Sequence, residues 1–129
     1  MKPIIVSESF PKEINLVWKI ISDLKRCDWV PGVKNITLEG KIRSFTMEGM
    51  GRIKEKIIIC DTKTKVLPYS AIQTSIPIKH HLATIELAGI KNGTLLKWVT
   101  EIEPFEFGIS IEKNMLKSLT QLRIVLAEI

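Results

Sequence analysis

Two histidines and two cysteines are the whole supply of imidazole and thiol metal ligands in this 129-residue chain. Cys27 and Cys60 stand far apart, with no CxxC and no Cys/His spacing, so they read as free thiols and not as a zinc site. His80 and His81 are adjacent, and adjacent strand residues point to opposite faces, so the two cannot readily chelate one ion. No metal and no cofactor is expected. Missing as well are a GxSxG elbow, a Ser/His/Asp order and a glycine loop built to cradle phosphate.

Long apolar runs are absent too. The triplet Ile57-Ile58-Ile59 is far short of the roughly 20 residues that cross a bilayer, so no stable membrane insertion is expected. Met1-Lys2-Pro3 leads straight into a strand pattern, without the charged segment, apolar stretch and small-residue cleavage site of a secretory leader, and the expectation is a cytoplasmic protein. Aromatic residues make up only 6% of the chain, and Phe10, Phe45, Tyr69 and Trp98 fall where a core would want them. The net charge of +5 comes from Lys and Arg scattered among Glu and Asp, not gathered in one block. Nucleic acid is therefore not an expected partner.

What is present is an ordinary globular balance, 45% hydrophobic and 26% charged, in a length suited to one domain over residues 1–129. Residues 4–10 are apolar and β-prone, and Pro11 stops them. From Glu13, Ile14, Val17, Trp18, Ile21 and Leu24 recur at helical spacing, and the Lys25-Arg26 pair suits a helix C-terminus. Strand-like segments follow at 33–38, 42–47, 52–60, 66–73, 80–87 and 94–102, separated by turn signals. Asn92-Gly93 is the clearest hairpin signal, because both residues tolerate positive φ. From Ile109 the period returns to about 3.6, with Ile111, Met115, Leu119, Leu122 and Leu126 on one stripe. The order strand, helix, six strands, long helix implies an α+β fold, a seven-stranded antiparallel sheet curved around the last helix.

Parity along these strands separates two faces. A two-residue turn at Asn92-Gly93 groups His81, Ala83, Ile85, Leu87, Leu96, Trp98, Thr100 and Ile102 on one side, with Thr84, Glu86, Lys97, Glu101 and Glu103 on the other. The apolar set should face inward. The same rule groups Ile53, Glu55, Ile57 and Ile59 against Arg52, Lys54 and Lys56, which leaves a carboxylate among isoleucines. Arg43 shares its face with Phe45 and Met47, and a three-residue turn over Gly49-Met50-Gly51 brings that face beside Glu55.

The segments Val17-Trp18-x-x-Ile21-Ser22-Asp23, Trp29-x-Pro31-Gly32-Val33, Gly51-x-Ile53-x-Glu55 with Asp61 and Tyr69, and Gly93-Thr94-x-x-x-Trp98 resemble the START-like, helix-grip (SRPBCC) superfamily. The chain looks most like its polyketide cyclase/dehydrase and lipid-transport group. That resemblance covers nearly the whole chain and implies an internal cavity whose mouth is bordered by the segment after the first helix, where Trp29 would sit.

Together these readings set out a candidate ligand-binding wall of Trp29, Arg43, Phe45, Met47, Ile53, Glu55, Ile57, Ile59, Tyr69, His81, Ala83, Ile85, Trp98, Thr100, Met115 and Leu119. Met50 adds a further adaptable thioether. Arg43 and Glu55 pair with each other, orient a ligand carboxylate or hydroxyl, or do both, with Tyr69 and His81 as further hydrogen-bonding groups. The leading expectation is a carrier or binder of a small hydrophobic molecule such as a lipid, isoprenoid or polyketide-like compound. Its rival is a cyclase, aromatase or dehydratase that uses Glu55, Tyr69 or His81 as acid or base. A third reading is an interaction module that meets a partner through the last helix or the Gly49-Met50-Gly51 loop.

Overall fold

The computed structural model describes residues 2–129. Seven strands form one antiparallel sheet: β1 (Ile4–Phe10), β2 (Val33–Glu39), β3 (Ile42–Met47), β4 (Gly51–Ile57), β5 (Val66–Gln73), β6 (His80–Ile90) and β7 (Gly93–Glu103). Their order across the sheet is β1-β7-β6-β5-β4-β3-β2, so each hairpin pairs with its sequence neighbour and β1 returns to the β7 edge. Helix α1 (Ile14–Ile21) joins β1 to β2, and helix α2 (Gly108–Ala127) closes the chain. Register shifts between Lys34 and Thr37 on β2 and between Lys54 and Glu55 on β4 break the ladder locally, and Asn35 takes a φ of 59° at the first. Such irregularities add bend and twist, which a sheet needs in order to wrap a helix.

One core lies between the sheet and the two helices. Val17, Trp18, Ile20 and Ile21 of α1, Leu96 and Ile102 of β7, and Leu119, Leu122 and Leu126 of α2 belong to it. Helix α1 is shorter than its periodicity suggests. It stops at Ile21, and residues 22–30 proceed through successive turns with Asp23 N–H on the Ile20 carbonyl and Arg26 N–H on the Asp23 carbonyl. Leu24 keeps its apolar phase because those turns still press it onto the core.

Strand β4 is also shorter than expected. It ends at Ile57, and Ile59 beyond it is 48% exposed, so parity no longer governs its direction and Ile59 is not a wall residue. The β6–β7 hairpin turns over Lys91-Asn92 with Ile90 opposite Gly93, two residues out of register from a turn at Asn92-Gly93. Only Asn92 takes positive φ, at 64°. Gly93 is required for another reason: a Cβ there would run into the carbonyl oxygen of Phe10 on β1. Substituting Gly93→Ala should therefore force β1 away from β7 and cost about 3 kcal/mol by overpacking, measurable by urea unfolding. A loss below about 0.5 kcal/mol would show that β1 can shift freely.

The two-residue offset leaves every side chain on its expected face. Ala83, Ile85, Leu87, Leu96, Trp98, Thr100 and Ile102 are all buried. The β3–β4 hairpin behaves in the same way. Its loop is Glu48-Gly49-Met50, with Met47 opposite Gly51, and this sets Arg43 directly across from Glu55.

Candidate functional site

A cavity of about 180 Å³ opens between the sheet and the N-terminal half of α2. Its position follows from the side chains along the helix. Ile111, Asn114, Met115 and Ser118 lie one helical turn apart on the cavity side, and two of them are too small or too polar to fill the space beneath. Further along, Leu119, Leu122 and Leu126 are large, buried and packed into the core. The last half of the helix fills the fold and the first half leaves it hollow.

The sheet contributes Phe45, Met47, Ile53, Ile85, Trp98 and Thr100 to the wall, and Met115 faces them with its sulfur 3.4 Å from the Thr100 hydroxyl, which donates to it. Trp29 also lines the cavity, with Val30 and Pro31. Its indole is only 6% exposed and tilts against Trp98, with ring centroids 5.8 Å apart at 54°. The tryptophan beside the Pro31-Gly32 turn is thus a largely buried part of the cavity wall. Ile57, Ala83 and Leu119, also read as wall residues, are buried in the core and do not line the cavity.

Parity did not find the segment between β5 and β6, where Thr74, Ile76 and Ile78 border the cavity, nor Ile36 on β2. Loop residues have no period to read. Ala71 was legible in principle, since it shares the face of Leu67 and Tyr69 and lies across from Glu55.

One end of the cavity is polar. Arg43 Nη2 lies 2.7 Å and Nε 3.1 Å from Glu55 Oε1, so both nitrogens converge on one oxygen and Oε2 stays outside the pair. The third guanidinium nitrogen donates to the Leu24 carbonyl at 3.4 Å. The Arg43 group also stands 5.4 Å from the centre of the Tyr69 ring, within cation–π reach. Burial pushes the Glu55 carboxyl up from its ordinary pKa, and the Arg43 charge and its hydrogen bonds hold it partly down. Burial, with the negative charge of Glu55 next, pushes the Tyr69 hydroxyl up, so it keeps its proton and can donate a hydrogen bond at any physiological pH. Arg43 and Glu55 thus form a mutual pair.

His81 is held differently. The backbone N–H of Ala71 donates to His81 Nδ1 at 2.8 Å, and burial with the neighbouring His80 lowers the ring's pKa to about 4. The neutral ring must then carry its proton on Nε2, and its lone pair is already engaged. His81 is therefore a hydrogen-bond donor to its surroundings and has no lone pair free for general-base work. His80, on the opposite face, meets Glu101 at 3.0 Å.

No group of three His, Cys, Asp or Glu side chains among the described residues could hold a metal ion. Cys27 and Cys60 are both free, and burial pushes the Cys60 thiol up, away from reactive thiolate. No helix among the described residues is long and apolar enough to cross a membrane.

No family model matches the chain, and no curated protein matches its sequence. Among solved structures, an uncharacterized protein from Bacillus thuringiensis superposes with a TM-score of 0.84 at 19% identity, covering 96% of this chain and 98% of that one. The protein XoxI from Bacillus cereus gives a TM-score of 0.81 at 21% identity, covering 97% and 95%. Norcoclaurine synthase from Thalictrum flavum, in complex with dopamine and hydroxybenzaldehyde, gives 0.76 at 17% identity over 98% and 87%. At these identities the likeness is one of fold, and the chain has the helix-grip fold: a curved seven-stranded antiparallel sheet around a long C-terminal helix.

Proposed function

We propose that this protein binds one small, largely apolar molecule in the cavity between its sheet and α2. The supporting observation is the cavity itself, an apolar wall of Phe45, Met47, Ile53, Ile85 and Met115 with one self-neutralised polar end at Arg43 and Glu55. Ligand sites share this composition, mostly apolar with a few placed polar groups. The volume of about 180 Å³ sets the scale of the ligand. A cavity of roughly 150 Å³ lined by Leu, Ile and Phe takes up benzene, so a body of one or two rings suits this one better than a long folded acyl chain. A neighbouring fold is known with one-ring molecules, dopamine and hydroxybenzaldehyde, which agrees with that scale.

A second reading, chemistry on the bound molecule, is favoured by Glu55. Its free Oε2 and its raised pKa suit a group that both takes and returns a proton. Tyr69, whose hydroxyl is harder to ionise than usual, would hold the bound molecule by a hydrogen bond rather than act as the acid. Turnover unchanged in Glu55→Gln would dispose of that role.

The binding reading is tested by native mass spectrometry of the purified protein, then by titration with ethylbenzene. A near one-to-one adduct or saturable ethylbenzene binding is expected. Ala71→Phe places a ring in the cavity, and should abolish binding while the thermal midpoint stays within a few degrees. Undiminished binding in that variant would put the ligand elsewhere.

A further inference from the structure

Positive charge is scattered along the sequence, but the fold gathers part of it on one surface. Arg52, Lys54 and Lys56 alternate with the buried Ile53 and Ile57 on β4, so all three point away from the cavity and are exposed. Successive members stand about 7 Å apart, the repeat of every second residue in a strand. Lys34 on β2 extends the row sideways, since it pairs with Thr46 and Thr46 pairs with Arg52. The residues directly across from the row are uncharged: Thr46, Ser44 and Ile42 on β3, Gln73 and Ser70 on β5. Glu39 ends β2 and Glu48 lies in the β3–β4 loop, yet among the described residues no carboxylate pairs with any of the four cations.

The other half of the same outward face is arranged differently. There Glu86 stands across from Lys97, and His80 meets Glu101 at 3.0 Å. On β4 and β2 like charges line up unopposed, an arrangement that repels itself until an outside anion neutralises it.

The row leads into a shallow depression. Ser70, directly across from Lys56, lines it together with Ile58, Ile78, Lys79 and Leu82. Ile58 is 41% exposed there. These apolar groups are recessed, so they suit a side chain that protrudes from a partner and not the flat surface of a bilayer. No aromatic side chain joins the row: Phe45, Tyr69 and Trp98 are buried on the inner face, and a single nucleic acid strand would find nothing to stack on. On the far side of the depression Glu101, bonded to His80, limits how far an acidic chain can run.

We propose that the outward face of β4, with the depression beside it, docks an extended acidic segment of a partner protein. Its carboxylates lie over Lys34, Arg52, Lys54 and Lys56, and one large apolar side chain fills the depression. Alternate side chains of an extended segment repeat at the same spacing as the row, so successive carboxylates match successive cations. Nothing in this docking requires a ligand in the internal cavity.

A display library of random dodecapeptides, selected on the purified protein, should enrich sequences with several Asp or Glu and one large apolar residue. Titrated at low salt as a labelled synthetic peptide, an enriched sequence should bind about tenfold more weakly to the combined variant Arg52→Gln, Lys54→Gln and Lys56→Gln. A control with Lys91→Gln, Lys113→Gln and Lys117→Gln loses the same net charge elsewhere and should stay within about twofold of the unaltered protein. Replacing the peptide's apolar residue by Ala should weaken binding about fivefold. In the unaltered protein the amide resonances of Ile58, Ser70 and Leu82 should shift on titration while those of α2 stay in place.

No acidic bias in the enriched sequences, equal weakening in the two variants, or shifts confined to other elements would overturn the proposal. So would a row that ignores the peptides but holds phosphatidylserine vesicles or oligothymidine, which would assign it to a membrane or a nucleic acid instead. All the substituted positions are exposed, so both variants should keep the thermal midpoint of the unaltered protein within a few degrees.

Discussion

Arg43→Met should lower the unfolding free energy by about 3–5 kcal/mol, because it leaves the Glu55 carboxylate buried without its cation. The two side chains are only 16% and 13% exposed, so water cannot replace the lost partner. Removing both charges tells the opposite story. Arg43→Met combined with Glu55→Leu should recover most of the loss, since replacing a buried ion pair with apolar groups is often neutral or stabilising. Without Arg43 the Glu55 carboxyl is pushed up still further by burial alone, so the single variant's deficit should be largest above that pKa and shrink as the pH falls and the acid form takes over. Urea unfolding of the four proteins of the cycle, at pH 5 and pH 8, measures both effects. A single-variant loss below about 1 kcal/mol at pH 8 would mean that the pair carries little charge in the native state.

Acidification should destabilise the protein through His81. Its folded pKa of about 4 lies below the ordinary value of 6.5, so the unfolded chain binds the proton first. The His81 contribution is fully present above pH 6.5 and is lost progressively as the pH falls to about 4, by an amount on the order of 3 kcal/mol. Glu55, whose pKa is raised, acts in the opposite sense over the acid range, so the total profile alone does not isolate His81. A difference profile does. His81→Phe loses the Ala71 hydrogen bond at every pH, a constant offset, but removes the titration. The gap between wild type and variant should therefore narrow, or reverse, between pH 6.5 and 4. A constant gap across that range would show that His81 titrates normally in the folded protein.

The inward face of β6 and β7 was legible because one rule, alternation, applies along eleven residues of each strand. The same rule failed at Ile59 because the strand ended two residues earlier, and sequence pattern marks the middle of an element better than its end. The α2 stripe was legible as one apolar face. Its division near Ser118 into a half that lines a cavity and a half that fills the core shows only in the packed fold. The tautomer of His81 was beyond reach of the sequence, since it is set by a backbone N–H on the neighbouring strand.

By itself the sequence determined the order of elements, the antiparallel sheet and which side chains share a face, because these depend on local period and on turn residues. Only the tertiary structure decided who sits opposite whom. A shift of two residues keeps every side chain on its face, so parity cannot detect it, while the close approach of Gly93 to the Phe10 carbonyl and the positive φ of Asn92 favour one register. The same holds at the polar end. That Arg43 and Glu55 share a face was written in the alternation, but their direct pairing across β3 and β4 arises from packing alone.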